Sequence, residues 1–98
     1  MTICIISPEA SRDLDDIFDY FAQVSVDAGE RFVLEFEKKC NKLKQFPKMG
    51  RSYSEFQPSL RGVPLDNYIV FYRIIDNGIE IIRLLSAYRD LNSLLTED

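Results

Sequence analysis

Five arginines, Arg51, Arg61, Arg73, Arg83 and Arg89, punctuate the second half of this chain, and no lysine follows Lys48. Arginine stays charged at any physiological pH and presents a planar fork of donors, so a set of cations made only of arginine suits recognition of phosphate, carboxylate or a partner surface. The competing reading is that they are edge-strand charges and internal ion-pair partners. The chain contains no histidine. That removes the usual zinc sites, the Ser-His-Asp and Cys-His arrangements and the commonest general base at neutral pH. Any catalysis would have to use Arg, Lys, Tyr or carboxylates. Cys4 and Cys40 have no CxxC spacing and read as buried free thiols, one on a strand and one on a helix.

The elements that must position these groups follow from periodicity. Residues 2–6 read as a short β-branched strand closed by Ser7-Pro8. Ser7 is a good N-cap and Pro8 suits the first helical position, where a missing N–H costs nothing. Ala10, Leu14, Ile17, Phe21 and Val24 then recur at helical spacing. Ser25 can cap a second helix carrying Ala28, Phe32, Val33, Phe36, Cys40 and Leu43, ended by Pro47 and Gly50. Helices over about 8–24 and 26–46, joined so tightly, must be antiparallel. Residues 48–58 read as a loop long enough to be functional. Strand character begins at 60–63 and is interrupted at Pro64, which favours an edge or an irregular segment. A hairpin of 67–75 and 79–86 follows, with Asp76-Asn77-Gly78 supplying residues that tolerate positive φ. Residues 89–95 can form one helical turn packing Leu91, Leu94 or Leu95.

Strict alternation puts Tyr68, Val70, Tyr72 and Ile74 on one face of the hairpin and Ile69, Phe71, Arg73 and Ile75 on the other. The return strand divides as Ile79, Ile81, Arg83, Leu85 against Glu80, Ile82, Leu84, Ser86. Both faces are apolar, and two helices can cover one. We take the other as a partner surface, with self-coverage by 60–65 and 91–95 as the alternative. The expected fold is a single α+β domain over 1–98, with an N-terminal strand and a helical hairpin packed on an antiparallel β-sheet. Its core is expected at Leu14, Ile17, Phe21, Phe32, Phe36, Leu43, Phe71 or Tyr72, and Ile81 or Ile82.

With 98 residues, 46% of them hydrophobic, the chain has apolar surface for one core and no more. No run is long and uncharged enough to span a membrane, and residues 1–6 lack the basic flank of a secretory signal. A cytoplasmic address is the expectation. Net charge is −4, which opposes long-range attraction to bare nucleic acid, so direct binding of free nucleic acid is not expected. The acids gather over 9–30, while Arg31, Lys38, Lys39, Lys42, Lys44 and Lys48 make 31–48 basic.

The order of these pieces resembles the RelE/ParE superfamily of small bacterial toxins, and its ParE branch more closely. The residues that carry the likeness are Ser7-Pro8-Glu9-Ala10 with Asp13-Leu14-Asp15-Asp16-Ile17, and Phe46-Pro47-Lys48-Met49-Gly50-Arg51 ahead of Leu60-Arg61-Gly62-Val63-Pro64. Tyr68-Ile69-Val70-Phe71-Tyr72-Arg73 and the strand from Gly78 to Leu85, with Arg89-Asp90-Leu91, complete it. The family commonly reads His-Gly where this chain has Ser86-Ala87.

The resemblance implies the toxin of a type II toxin–antitoxin system, neutralised by a ParD-like antitoxin and acting without a cofactor or metal. ParE-like members inhibit DNA gyrase and so replication, for which Arg51, Arg61, Arg73, Arg83 and Arg89 would be partner contacts and the 39–48 lysine cluster a second candidate. RelE-like members cut messenger RNA on the ribosome, and Arg61, Arg83, Tyr88 and Arg89 would then be the catalytic candidates. A member that keeps antitoxin binding and has lost toxicity is a third reading; the Ser86-Ala87 departure favours an inactive or a retargeted member.

Overall fold

The computed structural model describes residues 2–88, Leu91 and Leu95. Its elements are β1 (Ile3–Ile6), α1 (Pro8–Val24), α2 (Val26–Gln45), a 3₁₀ turn (Pro47–Met49), β2 (Arg51–Ser52), β3 (Arg61–Leu65), β4 (Tyr68–Ile75) and β5 (Gly78–Ser86). The expected α+β architecture is present: a helical hairpin lies on a five-stranded sheet of order β1-β5-β4-β3-β2.

Serine sets both helix starts. The Ser7 hydroxyl accepts from Ala10 N–H at 3.0 Å and donates to the Ile82 carbonyl at 2.9 Å. The same buried residue thus caps α1 and fastens it to β5. Ser25 closes α1 by donating its N–H to the Phe21 carbonyl and opens α2 by accepting from Ala28 N–H. One residue between two helices leaves no room for anything but a reversal of direction.

The sheet is not purely antiparallel. β1 runs parallel to β5, with Ile3 opposite Gly78 and Ile6 opposite Ile81. Gly78 is required there because a Cβ would overlap the Ile3 backbone. The β4–β5 turn contains two residues, Asp76 and Asn77, between the paired Ile75 and Gly78. Of Asp76-Asn77-Gly78, Gly78 has the expected positive φ (158°), and two non-glycine residues outside this turn share the sign, Asp66 (53°) in the β3–β4 turn and Ser59 (64°). Pro64 does not end its strand. β3 continues through it to Leu65, beyond the two residues that β2 pairs, so the proline lies where β3 is an edge.

One bulge changes the face assignment. Tyr72 pairs with Ile81 and Phe71 with Arg83, leaving Ile82 as the extra residue on β5. Alternation therefore switches parity. Leu84 joins Ile79 and Ile81 on the helical side, and Leu85 joins Ile82 on the other, opposite to a strict period of two.

Two apolar clusters result. Between helices and sheet lie Ala10, Ile17, Phe32, Phe36, Leu43, Val70, Tyr72, Ile79, Ile81 and Leu84, with Leu14 and Phe21 partly buried against them. Burying each of the larger side chains contributes about 1.5–3 kcal/mol. The opposite face holds Leu60, Phe71, Leu85 and Leu95, covered by Tyr53, Phe56, Ile69, Ile82 and Leu91. The expectation of an open partner surface on this face is therefore overturned. Aromatic residues of the 53–60 segment fold back over Phe71, with the Tyr53 ring edge-on at 5.1 Å. Leu91 and Leu95 are helical and contribute to the cover, while Leu94 lies outside the described residues. Cys40 is buried and Cys4 only half-buried, and both are free thiols. Among the described residues, no helix is long and apolar enough to cross a membrane.

Candidate functional site

Each described arginine of the set is engaged within the fold, and the engagements fall at separate places. On β5, Arg83 grips Asp13 of α1 with two parallel bonds, Nε to Oδ2 at 2.7 Å and Nη2 to Oδ1 at 3.0 Å. Asp13 Oδ2 also accepts the Leu84 N–H at 3.0 Å. The carboxylate is thus bound by a guanidinium and a strand amide together, in a setting where the two side chains are 16% and 29% exposed. Charge-assisted, bidentate and partly desolvated, this is the strongest polar contact described between helix and sheet.

Arg73 on β4 donates to Gln57 Oε1 at 2.6 Å, and Gln57 Nε2 in turn donates to the Leu95 carbonyl at 2.6 Å. Gln57 therefore links the strand, the loop and residue 95. Arg73 and Arg83 line one cleft of about 340 Å³ with Ser7, Glu9, Glu80 and Ile82. On its other side Arg83 borders a second cleft of about 310 Å³, with Asp13, Asp16, Tyr20, Tyr68 and Ser86 among its lining residues. Both clefts hold carboxylates beside the arginine, so neither is a simple cationic pocket for an anion.

Arg61 and Arg51 sit at the far edge of the sheet. Arg61 Nη1 donates to the carbonyls of Gly50 (2.8 Å) and Lys48 (3.3 Å), tying down the 3₁₀ segment. Tyr72 holds the same segment from below: its hydroxyl donates to the Pro47 carbonyl at 2.5 Å and accepts the Gly50 N–H at 3.0 Å. Burial raises the Tyr72 hydroxyl pKa, opposed by the Gly50 bond and the Arg61 charge. Arg51 pairs with Glu55 at 3.4 Å and lies 4.1 Å from the centre of the Tyr53 ring, both at the exposed surface. None of the described clefts contains both Arg61 and Arg83. Tyr88 projects into solvent, 83% exposed. Arg89 lies outside the described residues.

The basic end of α2 forms a different kind of surface. Lys42, Gln45, Phe46, Pro47, Lys48 and Met49 line an apolar-floored groove of about 630 Å³, with Phe46 57% and Met49 43% exposed. Exposed large apolar side chains flanked by lysines have the composition of a protein-contact patch.

Asp13 and Gln57, which hold two of the arginines, were not singled out from the sequence. A signal for Asp13 existed. It lies three residues after Ala10 and four before Ile17, on the margin of the buried stripe, where an acid needs a partner. Gln57 lies in an aperiodic loop that offers no such cue.

Comparison with known proteins gives a consistent result. The family model described as the ParE toxin of the type II toxin–antitoxin system parDE matches residues 4–91. Toxin ParE3 of Caulobacter vibrioides is 29% identical over 86 residues, covering 87% of this chain and 86% of that protein. Toxin RelE2 of the same organism is 31% identical over 80 residues, covering 82% and 89%. A solved structure described as the chromosomal ParDE TA system from P. aeruginosa superposes with a TM-score of 0.73 at 20% identity, covering 88% of this chain and 96% of that one. At that identity the superposition establishes the fold.

Proposed function

The chain belongs to the ParE toxin family of type II toxin–antitoxin systems, and from that membership we propose that it inhibits DNA gyrase and so replication in the cytoplasm, held silent by a ParD-like antitoxin. The observation that carries gyrase inhibition over messenger cleavage is the state of the arginines. A centre that cleaves RNA needs cations aimed at the position where charge develops, and a base within reach of the 2′-hydroxyl. Arg83 is instead closed on Asp13, Arg61 on two backbone carbonyls and Arg73 on Gln57. Tyr88 stands in solvent. A net charge of −4 also disfavours approach to the polyanionic ribosome.

Gyrase inhibition requires a binding surface and no acid–base apparatus. The Phe46–Met49 groove with Lys42 and Lys48 offers apolar contact area and cations on one side of the molecule. Arg73 and Arg83, bordering the 340 Å³ cleft, remain contact candidates for target or antitoxin, with Arg51 and Arg61 at the opposite edge and Arg89 beyond the described residues.

The test is to produce the protein without its antitoxin and to assay gyrase supercoiling and ribosome-dependent messenger cleavage side by side. Loss of supercoiling with intact messenger is the expected result. Messenger cleavage with unaffected gyrase overturns the proposal. If neither responds and cells grow normally while a ParD-like protein still binds, the chain has kept antitoxin binding alone, one of the two readings that Ser86-Ala87 favours.

A further inference from the structure

Cys4 and Cys40 lie 36 positions apart in sequence and meet in space. Cys4 is the second residue of β1, opposite Ile79 in the parallel ladder. Cys40 is buried on the face of α2 that packs on the sheet, and Cys4 is partly buried against the same cluster. α2 packs against β1, Cys4 is seated on the core cluster that contains Cys40, and each thiol acts on the other's titration. A surface cleft lined by Thr2, Asn41, Lys44 and Gln45 opens at the same junction of β1 and α2. The pair is therefore one half-exposed thiol backed by one buried thiol, with a lysine one helical turn beyond Cys40.

This environment divides the labour between the sulfurs. The neighbouring Cys40 thiol and the charge of Lys44 favour the Cys4 thiolate against the desolvation that opposes it, bringing its pKa down to about 7. Cys40 is pushed far up, first by its Cys4 neighbour, then by burial and the Cys4 charge; Lys44 works against the rise and Glu37 adds to it. An accessible thiolate beside a protected thiol is the arrangement of an attacking and a resolving cysteine.

We propose that Cys4 and Cys40 form a reversible, peroxide-responsive modification site whose oxidised state is a disulfide joining β1 to α2. The Cys4 thiolate attacks one oxygen of hydrogen peroxide. An S–O bond forms, the O–O bond breaks, and the departing hydroxide takes a proton to become water, leaving Cys4 as a sulfenic acid. That change removes the negative charge that disfavoured loss of the Cys40 proton. The Cys40 sulfur then attacks Cys4 Sγ, the S–S bond forms, and the S–O bond breaks. The hydroxide released takes the proton lost by Cys40. Two thiols and one peroxide give one disulfide and two waters. A dithiol reductant reverses the step by thiol–disulfide exchange.

The consequence is mechanical. β1 is an edge strand with a single neighbour, β5, and a covalent tie to α2 would remove freedom from the unfolded chain and hold that edge in place.

The test uses the full reduced chain exposed to hydrogen peroxide, followed by intact-mass measurement and non-reducing peptide mapping. The expected result is a loss of two hydrogens, a crosslink between the Cys4 and Cys40 peptides within one chain, and a thermal midpoint raised by roughly 10 °C or more, all reversed by dithiothreitol. In Cys40→Ser, dimedone should trap a sulfenic acid at Cys4; in Cys4→Ser, Cys40 should stay unmodified. Over-oxidation of wild-type Cys4 without a crosslink, predominant crosslinking between chains, or two thiols surviving treatment would each overturn the proposal. Because the decisive readout is taken on the wild-type chain, a variant that fails to fold leaves the test intact.

Discussion

Asp13 and Arg83, 70 residues apart in sequence, form a two-pronged ion pair that pins the middle of α1 to β5 just past the bulge at Ile82. The pair stands where β1 has ended, so α1 meets β5 directly. With Ser7 fastening the start of the helix to Ile81 and Ile82, α1 is held to one strand at two levels.

The pair should therefore behave as a coupled unit. Asp13→Ala and Arg83→Ala are each expected to cost about 2–3 kcal/mol, because each strands a partly desolvated partner. The double variant should cost about 1–3 kcal/mol less than the sum. Urea denaturation of the four proteins of the cycle measures this, and strict additivity would show the pair to be inert.

Tyr72→Phe removes the hydroxyl that holds both Pro47 and Gly50, leaving a backbone N–H and a carbonyl without their partner. A loss of about 1–3 kcal/mol is expected, with the 47–50 segment loosened before the sheet. Hydrogen exchange at Gly50 and its neighbours reads the local part of that loss.

The same tyrosine gives the fold an alkaline limit. Its folded pKa is raised above the ordinary value of 10, chiefly by burial. The folded state therefore retains a proton that the unfolded chain gives up, so the contribution is full below pH 10 and is lost as pH rises through the folded value. Tyr68 is raised as well, first by burial, then by Tyr20 and Asp66. Tyr72→Phe should blunt the alkaline fall in stability without abolishing it, measured as denaturation midpoints from pH 8 to 12.

Gly78→Ala should detach β1. The added Cβ would occupy space held by the Ile3 backbone, which no side-chain rotation can relieve. We expect a loss of about 2–4 kcal/mol and faster amide exchange along Ile3–Ile6. Retention of wild-type stability would mean that β1 is not seated as described.

Tyr88 separates the two activities of the wider family. Its exposure makes Tyr88→Phe nearly neutral for stability, within about 0.5 kcal/mol. A gyrase inhibitor should keep its potency in this variant. A cleaving enzyme that moves a proton through the phenol would lose about 10²-fold or more in single-turnover messenger cleavage.

What the sequence made legible was local. Ser7 and Ser25 announced the helix starts because a cap bonds three residues ahead, and the stripes from Ala10 and Ala28 announced the buried faces. The features that escaped were long-range. Nothing near Ile82 signals a bulge, since the extra residue is defined by its partner strand. The cover over Phe71 comes from Tyr53 and Phe56, in a segment with no period to read. The site suffered most, because a sequence displays the charge of Arg83 and withholds the carboxylate that faces it. Residue type proposed phosphate recognition, and the partners turned most of that set towards architecture.

The parallel pairing of β1 with β5 also has a consequence in time. The Ser7 hydroxyl and the Ile82 carbonyl are separated by 75 residues, and elongation at about 5–20 residues per second puts roughly 4–15 s between their syntheses. Throughout that interval the earliest strand has no neighbour to pair with, and the Ser7 cap has no β5 to anchor to. The helical hairpin can form early, but its floor arrives last. Assembly is thus gated by the emergence of β5, and a nascent chain completes this folded surface only once that strand has cleared the ribosome.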